Sequence, residues 1–398
     1  MKLDETLKSS LPYRDDEEQE ARSVIRKAKR VVIKIGTNTI TRPKNAPSRL
    51  SGREHSGGID IEYIHRVAAE ISDLAREGKE IILVTSGAVG MGARELGLIK
   101  RPKDVKTRQA CAAIGQPLLM EEYRRAFDVY GLTAAQLLVT RDVWDKRVAY
   151  LNLRSTVEAL LERHVVPVFN ENDSVSSSEI AFGDNDQLSA YVASKIDAEV
   201  LVILSDVDSL YDSNPRDNPD ARPIPYVREL GPEILAVAGD KGTEFSTGGM
   251  KTKIEAVRIA RDAGCRVVIA HGRTTQVIRR VLSGESIGTL FDAACGLKNR
   301  QRWIKNTRPQ GKILVDEGAL RAMRENNSLL PRGVVGVEGN FDRGAVVLVN
   351  DAAKIISGFS SVELAEIRGK FSEQLEDILG EGTSHVIARP GDTVFLDT

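Results

Sequence analysis

At 398 residues the chain is longer than a typical single domain, and 41% hydrophobic against 28% charged residues fits a globular protein with a sizeable core. A formal net charge of −1 excludes a global field that would draw it to nucleic acid or to an anionic membrane. Three cysteines, odd in number and far apart, and five histidines without ligand spacing argue against a disulfide framework or structural zinc site, and a reducing compartment fits. No run approaches the ~18–20 apolar residues that cross a bilayer, and residues 1–20 have no apolar secretory core, so a cytoplasmic protein is expected.

In chain order, residues 1–20 read as loosely ordered, with a short helix over 17–29. Arg30 to Gly36 is a β-branched run ended by glycine, a buried strand. Residues 41–58 are a Pro, Ser, Arg and Gly-rich loop. Apolar residues at helical spacing from Ile61 to Ala75 predict a helix stopped by Gly78. Ile81 to Val84 is a second strand, opening into the small-residue turn Thr85 to Gly92 and a helix. Helices follow over 107–129 and 148–163, a strand over Val165–Phe169, and a helix over Asp186–Lys195. The strand Val200–Leu204 ends in Ser205-Asp206-Val207-Asp208. A helix over Lys251–Ala263 and a strand over Arg266–Ala270 complete the pattern.

Five short strands without polar alternation are buried on both faces. Alternating with helices, they predict an α/β domain over 29–296, with helices covering both sides of a mostly parallel central sheet. Residues 1–28 would be an extension. Residues 297–310, polar and carrying Pro309, read as a linker to a small, mostly β domain over 311–398. Ligands of open parallel sheets bind outside the carboxyl ends of the strands. Every unusual loop lies there: Gly36-Thr37, Thr85 to Gly92, Asn170 to Asp186, and Ser205 to Asp208.

The stretch Asn170–Asp186 is rich in Asp, Glu, Asn and Ser. Such a loop repels itself unless a metal ion or ammonium group sits in it, although these residues also dominate plain turns. Its place after a buried strand favours a ligand role. Lys34 interrupts an apolar strand, and lysine is rarely buried without a partner. In Ser246-Thr247-Gly248-Gly249-Met250-Lys251-Thr252-Lys253, two glycines allow close backbone approach. Two lysines oppose the dipole of the helix they open, a conflict that a bound phosphate removes. No G-x-x-x-x-G-K-[ST] loop is present, and Gly87 to Gly92 has the wrong spacing for a dinucleotide loop. The parts still fit phosphoryl transfer, with lysines flanking the phosphoryl group and a carboxylate available for Mg²⁺.

The segments Val32-Ile33-Lys34-Ile35-Gly36-Thr37, Val84-Thr85-Ser86-Gly87-Ala88, Asn170-Glu171-Asn172-Asp173, Gly183-Asp184-Asn185-Asp186 and Thr247 to Lys253 carry a resemblance. From about residue 30 to its end the chain resembles the glutamate 5-kinases, of the amino-acid kinase superfamily, with a C-terminal PUA domain. The resemblance implies a three-layer sandwich and a PUA-like domain over 311–398. It also implies ATP-dependent phosphorylation of the γ-carboxylate of L-glutamate, the first step towards proline. By motif match Lys34 and Lys253 would neutralise the phosphoryl group, and Asp186 would organise the lysines or Mg²⁺. Ser86, Gly87, Asp173 and Asn185 would hold glutamate, with Asp173 facing its ammonium. Lys34, Ser205, Asp206 and Thr247, Gly248, Gly249, Met250, Lys251, Thr252 and Lys253 would contact ATP. The resemblance further implies feedback inhibition by proline, a homodimer or homotetramer, and a reductase as consumer of the glutamyl phosphate.

The chain departs from the family in residues 1–28, in a longer 41–58 loop, in the extra Lys251, and in Ser205 where threonine is common. A kinase of another acid, such as aspartate or acetylglutamate, is the nearest alternative. An RNA-binding role is disfavoured because residues 305–398 hold 11 Lys and Arg against 14 Asp and Glu. The C-terminal domain is expected to be a structural or regulatory attachment.

Overall fold

The computed structural model describes residues 15–41, 58–98, 102–176, 185–215, 217–239, 249–294, 299–371, 374–380 and 385–396. Two compact units form, Met1–Gly296 and Leu297–Thr398. The loop expected over 41–58 lies almost wholly outside the described residues.

The first unit opens with α1 (Asp15–Lys27), whose four leading acids and two trailing bases suit the helix dipole. The described residues of this helix include two before the stretch expected to be helical. Strand β1 (Arg30–Ile35) is followed by the single turn α2 (Thr37–Ile40) and by α3 (Ile61–Arg76), capped by Asp60, whose side chain accepts from the Tyr63 N–H. Then come β2 (Glu80–Val84), α4 (Ala88–Glu95), the long α5 (Val105–Asp128), β3 (Ala134–Val139), α6 (Arg141–Asp145), α7 (Arg147–Leu161) and β4 (Val166–Glu171). After it lie α8 (Asn185–Lys195), β5 (Val200–Ser205), β6 (Leu210–Tyr211), β7 (Pro223–Ile224), β8 (Tyr226–Val227), α9 (Pro232–Gly239), α10 (Met250–Asp262), β9 (Arg266–His271), α11 (Val277–Leu282) and β10 (Thr289–Phe291).

Eight strands form one sheet in the order β3-β4-β2-β1-β5-β9-β10-β8. All neighbours are parallel except β9 and β10. The five expected strands make its centre, and β3, β10 and β8 extend it. Strand order reverses between β1 and β5, so a crevice opens at their carboxyl ends. Side-chain alternation sorts the two faces. Val31, Ile33 and Ile35 of β1 pack with Ile64, Val67 and Ile71 of α3 in one apolar cluster. Val32 and Lys34 therefore point to the opposite face, where α8 and α10 lie.

Helix α1 is tied down by Arg22, only 3% exposed. Its guanidinium donates to Glu18 Oε1 at 2.7 Å and to the carbonyls of Glu285 at 2.8 Å and Pro225 at 3.2 Å. Arginine, with five donors in a rigid fork, suits a site built from converging carbonyls. Arg22→Met leaves those acceptors buried without a donor. It should lower stability by about 2–3 kcal/mol, read as a fall in urea midpoint without a change in slope.

The second unit starts with α12 (Asn299–Asn306), a helix where a linker was expected. Trp303 and Ile304, both buried, account for it. Then follow β11 (Lys312–Val315), α13 (Glu317–Arg324), β12 (Val334–Glu338), β13 (Val346–Val349), β14 (Ala353–Ile356), α14 (Ser361–Ile367), α15 (Leu375–Leu379) and β15 (Thr393–Phe395). The sheet order is β12-β11-β13-β14-β15, over a core of Ile313, Val347, Val349, Ile355, Phe359 and Leu364.

Candidate functional site

At the carboxyl edge of the large sheet, three buried charged side chains meet. Lys34 comes from β1, Asp186 from the first turn of α8, and Lys253 from the first turns of α10. Asp186 is fully buried, and Lys34 and Lys253 nearly so. Lys34 Nζ lies 2.5 Å from Asp186 Oδ1, and Lys253 Nζ lies 3.1 Å from Asp186 Oδ2. Thr252 Oγ1 is 3.3 Å from the same Oδ2. Burial alone would raise the Asp186 pKa, but the two ammonium groups beside it hold its carboxyl down to about 2. One carboxylate thus sets the spacing of two cations.

The second half of the site surrounds the turn after β2. Ser86 is buried, and Gly87 has φ +109°. The left-handed backbone there favours glycine, and a Cβ at Gly87 would also sit 2.8 Å from Ile59 Cδ1, which would have to move. Asn185, the first residue of α8, turns its amide nitrogen to the Thr85 carbonyl at 2.6 Å, Ser86 Oγ at 2.8 Å and Asn170 Oδ1 at 2.9 Å. Asp173 is half-buried in the turn just past β4. Helix α4 is held by contact of backbones. A Cβ at Gly92 would lie 1.9 Å from the Cys111 carbonyl oxygen, and one at Gly115 would lie 1.8 Å from that of Ala88. The turn carrying Ser86 and Gly87 is fixed by this packing of α4 on α5.

Ser205 closes β5 and is buried, and its hydroxyl donates to Asp206 Oδ1 at 3.1 Å. Asp206 is exposed, and its other oxygen accepts from Asn38 Nδ2 at 2.9 Å. Gly249 caps α10, and a Cβ there would meet nothing within 4 Å. Lys251 is exposed while Lys253 is buried, so the two lysines of that turn differ in kind. Ser246, Thr247 and Gly248 lie outside the described residues, as does the 177–184 part of the acidic stretch.

Lys34, Asp186 and Lys253 are brought together, as are Ser86, Gly87 and Asn185. Sequence reasoning missed Asn38, and it missed Gln116 and Asn170 as partners within the site. Asn38 follows the Gly36-Thr37 turn and could have been found from that position. Gln116 is a buried polar residue inside a long helix, and nothing local marks it.

A metal fits this donor set poorly as a protein-held ion. Among the described residues no group of three or more His, Cys, Asp or Glu side chains could hold one. Both oxygens of Asp186, the residue expected to help with Mg²⁺, face lysines instead. Magnesium usually takes few protein carboxylates and several phosphate oxygens. A magnesium ion here would therefore be held mainly by a nucleotide's phosphates. No helix among the described residues is long and apolar enough to cross a membrane.

The amino acid kinase family matches residues 29–271, and the PUA domain matches residues 311–379. A glutamate 5-kinase of Methanosarcina acetivorans is 46% identical over 365 residues, which span 89% of this chain and 93% of that one. A glutamate 5-kinase of Geobacter sulfurreducens is 42% identical over 365 residues, spanning 90% and 95%. Among solved structures, a carbamate kinase from Giardia lamblia gives a TM-score of 0.46 at 18% identity, covering 68% of this chain and 100% of its own.

Proposed function

The chain belongs to the amino acid kinase family, among the glutamate 5-kinases, and on that premise we infer that it phosphorylates the γ-carboxylate of L-glutamate with ATP, the entry to proline biosynthesis. The observation that carries the reading is the pair of buried lysines spaced by Asp186 beside a polar pocket edge.

The chemistry suits that pair. A γ-carboxylate has an ordinary pKa of about 4.3, so it is already a nucleophile at neutral pH and needs no general base. The obstacle is an anion approaching an anion. Lys34 and Lys253 address it by presenting fixed positive charge where negative charge gathers in the transition state. Asp186 keeps both lysines aimed without neutralising either, since it shares one negative charge between two cations. Magnesium enters with ATP and shields its phosphates. Ser86, Gly87, Asp173 and Asn185 hold glutamate. Ser205, Asp206, Lys251 and the 247–253 turn face the nucleotide, with Lys251 reaching phosphate from solvent.

The product is an acyl phosphate, prone to hydrolysis and cyclisation, and it passes to a reductase. Proline acts as feedback inhibitor at or near the glutamate pocket. The chain works as a homodimer or homotetramer in the cytoplasm, and its PUA domain serves assembly or regulation.

Incubating the enzyme with MgATP, hydroxylamine and a panel of acidic amino acids tests the reading. Glutamate is expected to give hydroxamate, and proline to suppress it. Acetylglutamate as the sole active acid would overturn the assignment.

A further inference from the structure

The amide of Asn185 cannot be turned either way. Its nitrogen faces the carbonyl of Thr85 at 2.6 Å, and a carbonyl only accepts. The same nitrogen faces Asn170 Oδ1 at 2.9 Å. The orientation of Asn170 is fixed in turn, because its Oδ1 takes the backbone N–H of Glu171 at 3.0 Å. Asn170 Nδ2 donates to Gln116 Oε1 at 3.2 Å, and Gln116 Nε2 donates to the Glu171 carbonyl at 3.2 Å. Backbone groups anchor the relay at Thr85 and on both sides of Glu171. Each link fixes which atom is nitrogen and which is oxygen, a choice that amide side chains otherwise leave open.

The relay leaves one atom over. Asn185 Oδ1 is sealed from solvent, and among the described residues nothing donates to it. A buried acceptor without a donor is costly unless something supplies one. Glutamate at neutral pH carries carboxylates, which only accept, and one ammonium group, which only donates. The free oxygen therefore selects the ammonium.

Resting on the glutamate reading above, we propose that Gln116, acting through Asn170, is a positioning residue that holds Asn185 Oδ1 toward the substrate's α-ammonium and so sets selectivity for a free amino acid. Gln116 is 4% exposed, on α5, and touches substrate nowhere in this scheme. Asn170 is likewise buried, at 4%. Without Gln116, Asn170 Nδ2 loses its acceptor and the Asn170 amide is held through Oδ1 alone, so the Asn185 amide that leans on it is less firmly aimed.

Steady-state kinetics of the full-length chain test this. Glutamate is compared with glutarate, which keeps both carboxylates and lacks the ammonium. Gln116→Leu should raise KM for glutamate about 10-fold, the loss expected for one buried hydrogen bond. KM for ATP and for glutarate should change less than about twofold. Gln116→Met, of similar length and likewise without an acceptor for Asn170 Nδ2, should show the same loss of glutamate-over-glutarate preference, and it serves if the leucine variant does not fold. In an Asn185→Ala background Gln116→Leu should change KM for glutamate by less than about twofold, because both act on one contact.

Unchanged glutamate preference in both Gln116 variants, or effects that multiply in the double variant, would overturn the proposal while leaving the kinase reading intact. A parent enzyme that makes no glutamyl hydroxamate would instead bring down the reading itself.

Discussion

Asp186→Asn is expected to lower kcat about 1,000-fold and to cost about 3–5 kcal/mol of stability. The side chain is fully buried, with both oxygens on lysines. An amide is the same size but carries no charge. It leaves two ammonium groups close together without the carboxylate that bridges them, in a medium that screens poorly. They separate or lose a proton, and either outcome removes the fixed charge that transfer needs. Because the substitution keeps volume, the loss reports charge rather than packing.

The pH dependence separates this effect from others. The Asp186 carboxyl is held at about 2 in the folded protein, below its ordinary value of 3.8. A depressed carboxylate stabilises fully above its unfolded pKa, and that contribution is lost as pH falls through the folded one. The stability difference between parent and variant should therefore stay level from neutral pH to about pH 5, then shrink between about pH 4 and pH 2. Urea melts across that range measure it. A difference that already fell between pH 8 and pH 6 would assign the effect to other groups.

Gly115→Ala is expected to cost about 3 kcal/mol or more, a large figure for a single methyl group. Its Cβ would lie 1.8 Å from the Ala88 carbonyl oxygen and 2.7 Å from the Gly92 nitrogen. These are backbone atoms, which no rotamer change moves aside. Helix α4 must shift on α5, and with it the Ser86-Gly87 turn. Folded variant should show a raised KM for glutamate and an unchanged KM for ATP, since the residues proposed to face the nucleotide lie on β5 and α10. Gly90→Ala is the control. It lies in the same α4, where a Cβ would meet nothing within 4 Å. Alanine there should be neutral or stabilising by up to about 1 kcal/mol. Thermal melts of the two variants, side by side, isolate the close approach.

The central strands were legible because burial on both faces leaves apolar runs, as in Val31 to Ile33 and Val200 to Leu204. Strand β3 was not. It is an edge strand, Ala-Ala-Gln-Leu-Leu-Val, mostly half-exposed and built of weak strand formers. Strand β10 has three residues and runs against its neighbour β9, so no pattern could accumulate. Helix α12 hid in a polar stretch because, among its described side chains, the apolar ones that are buried are Trp303 and Ile304.

In the site, Lys34 stood out as a cation in an apolar strand, and the Asp-bearing turn stood out by composition. What no local signal carried was their meeting. Asp186 and Lys253 are 67 residues apart in the chain, and only the reversal of strand order joins them to Lys34. The same holds for Gln116, whose acceptor at Glu171 is 55 residues away.

Arg22 has a consequence for the order in which the chain is made. It leaves the ribosome early, yet the carbonyls of Glu285 and Gly288 that receive it follow 263 and 266 residues later. At ordinary synthesis speeds that wait is roughly 10–50 s. Throughout it Arg22 has its Glu18 partner within α1 but not the later carbonyls that complete its site. The first helix of the described residues is thus among the last to gain all of its partners. It closes the unit only when β10 has been laid down, so a ribosome stalled before residue 285 would carry a chain whose opening segment is still undocked.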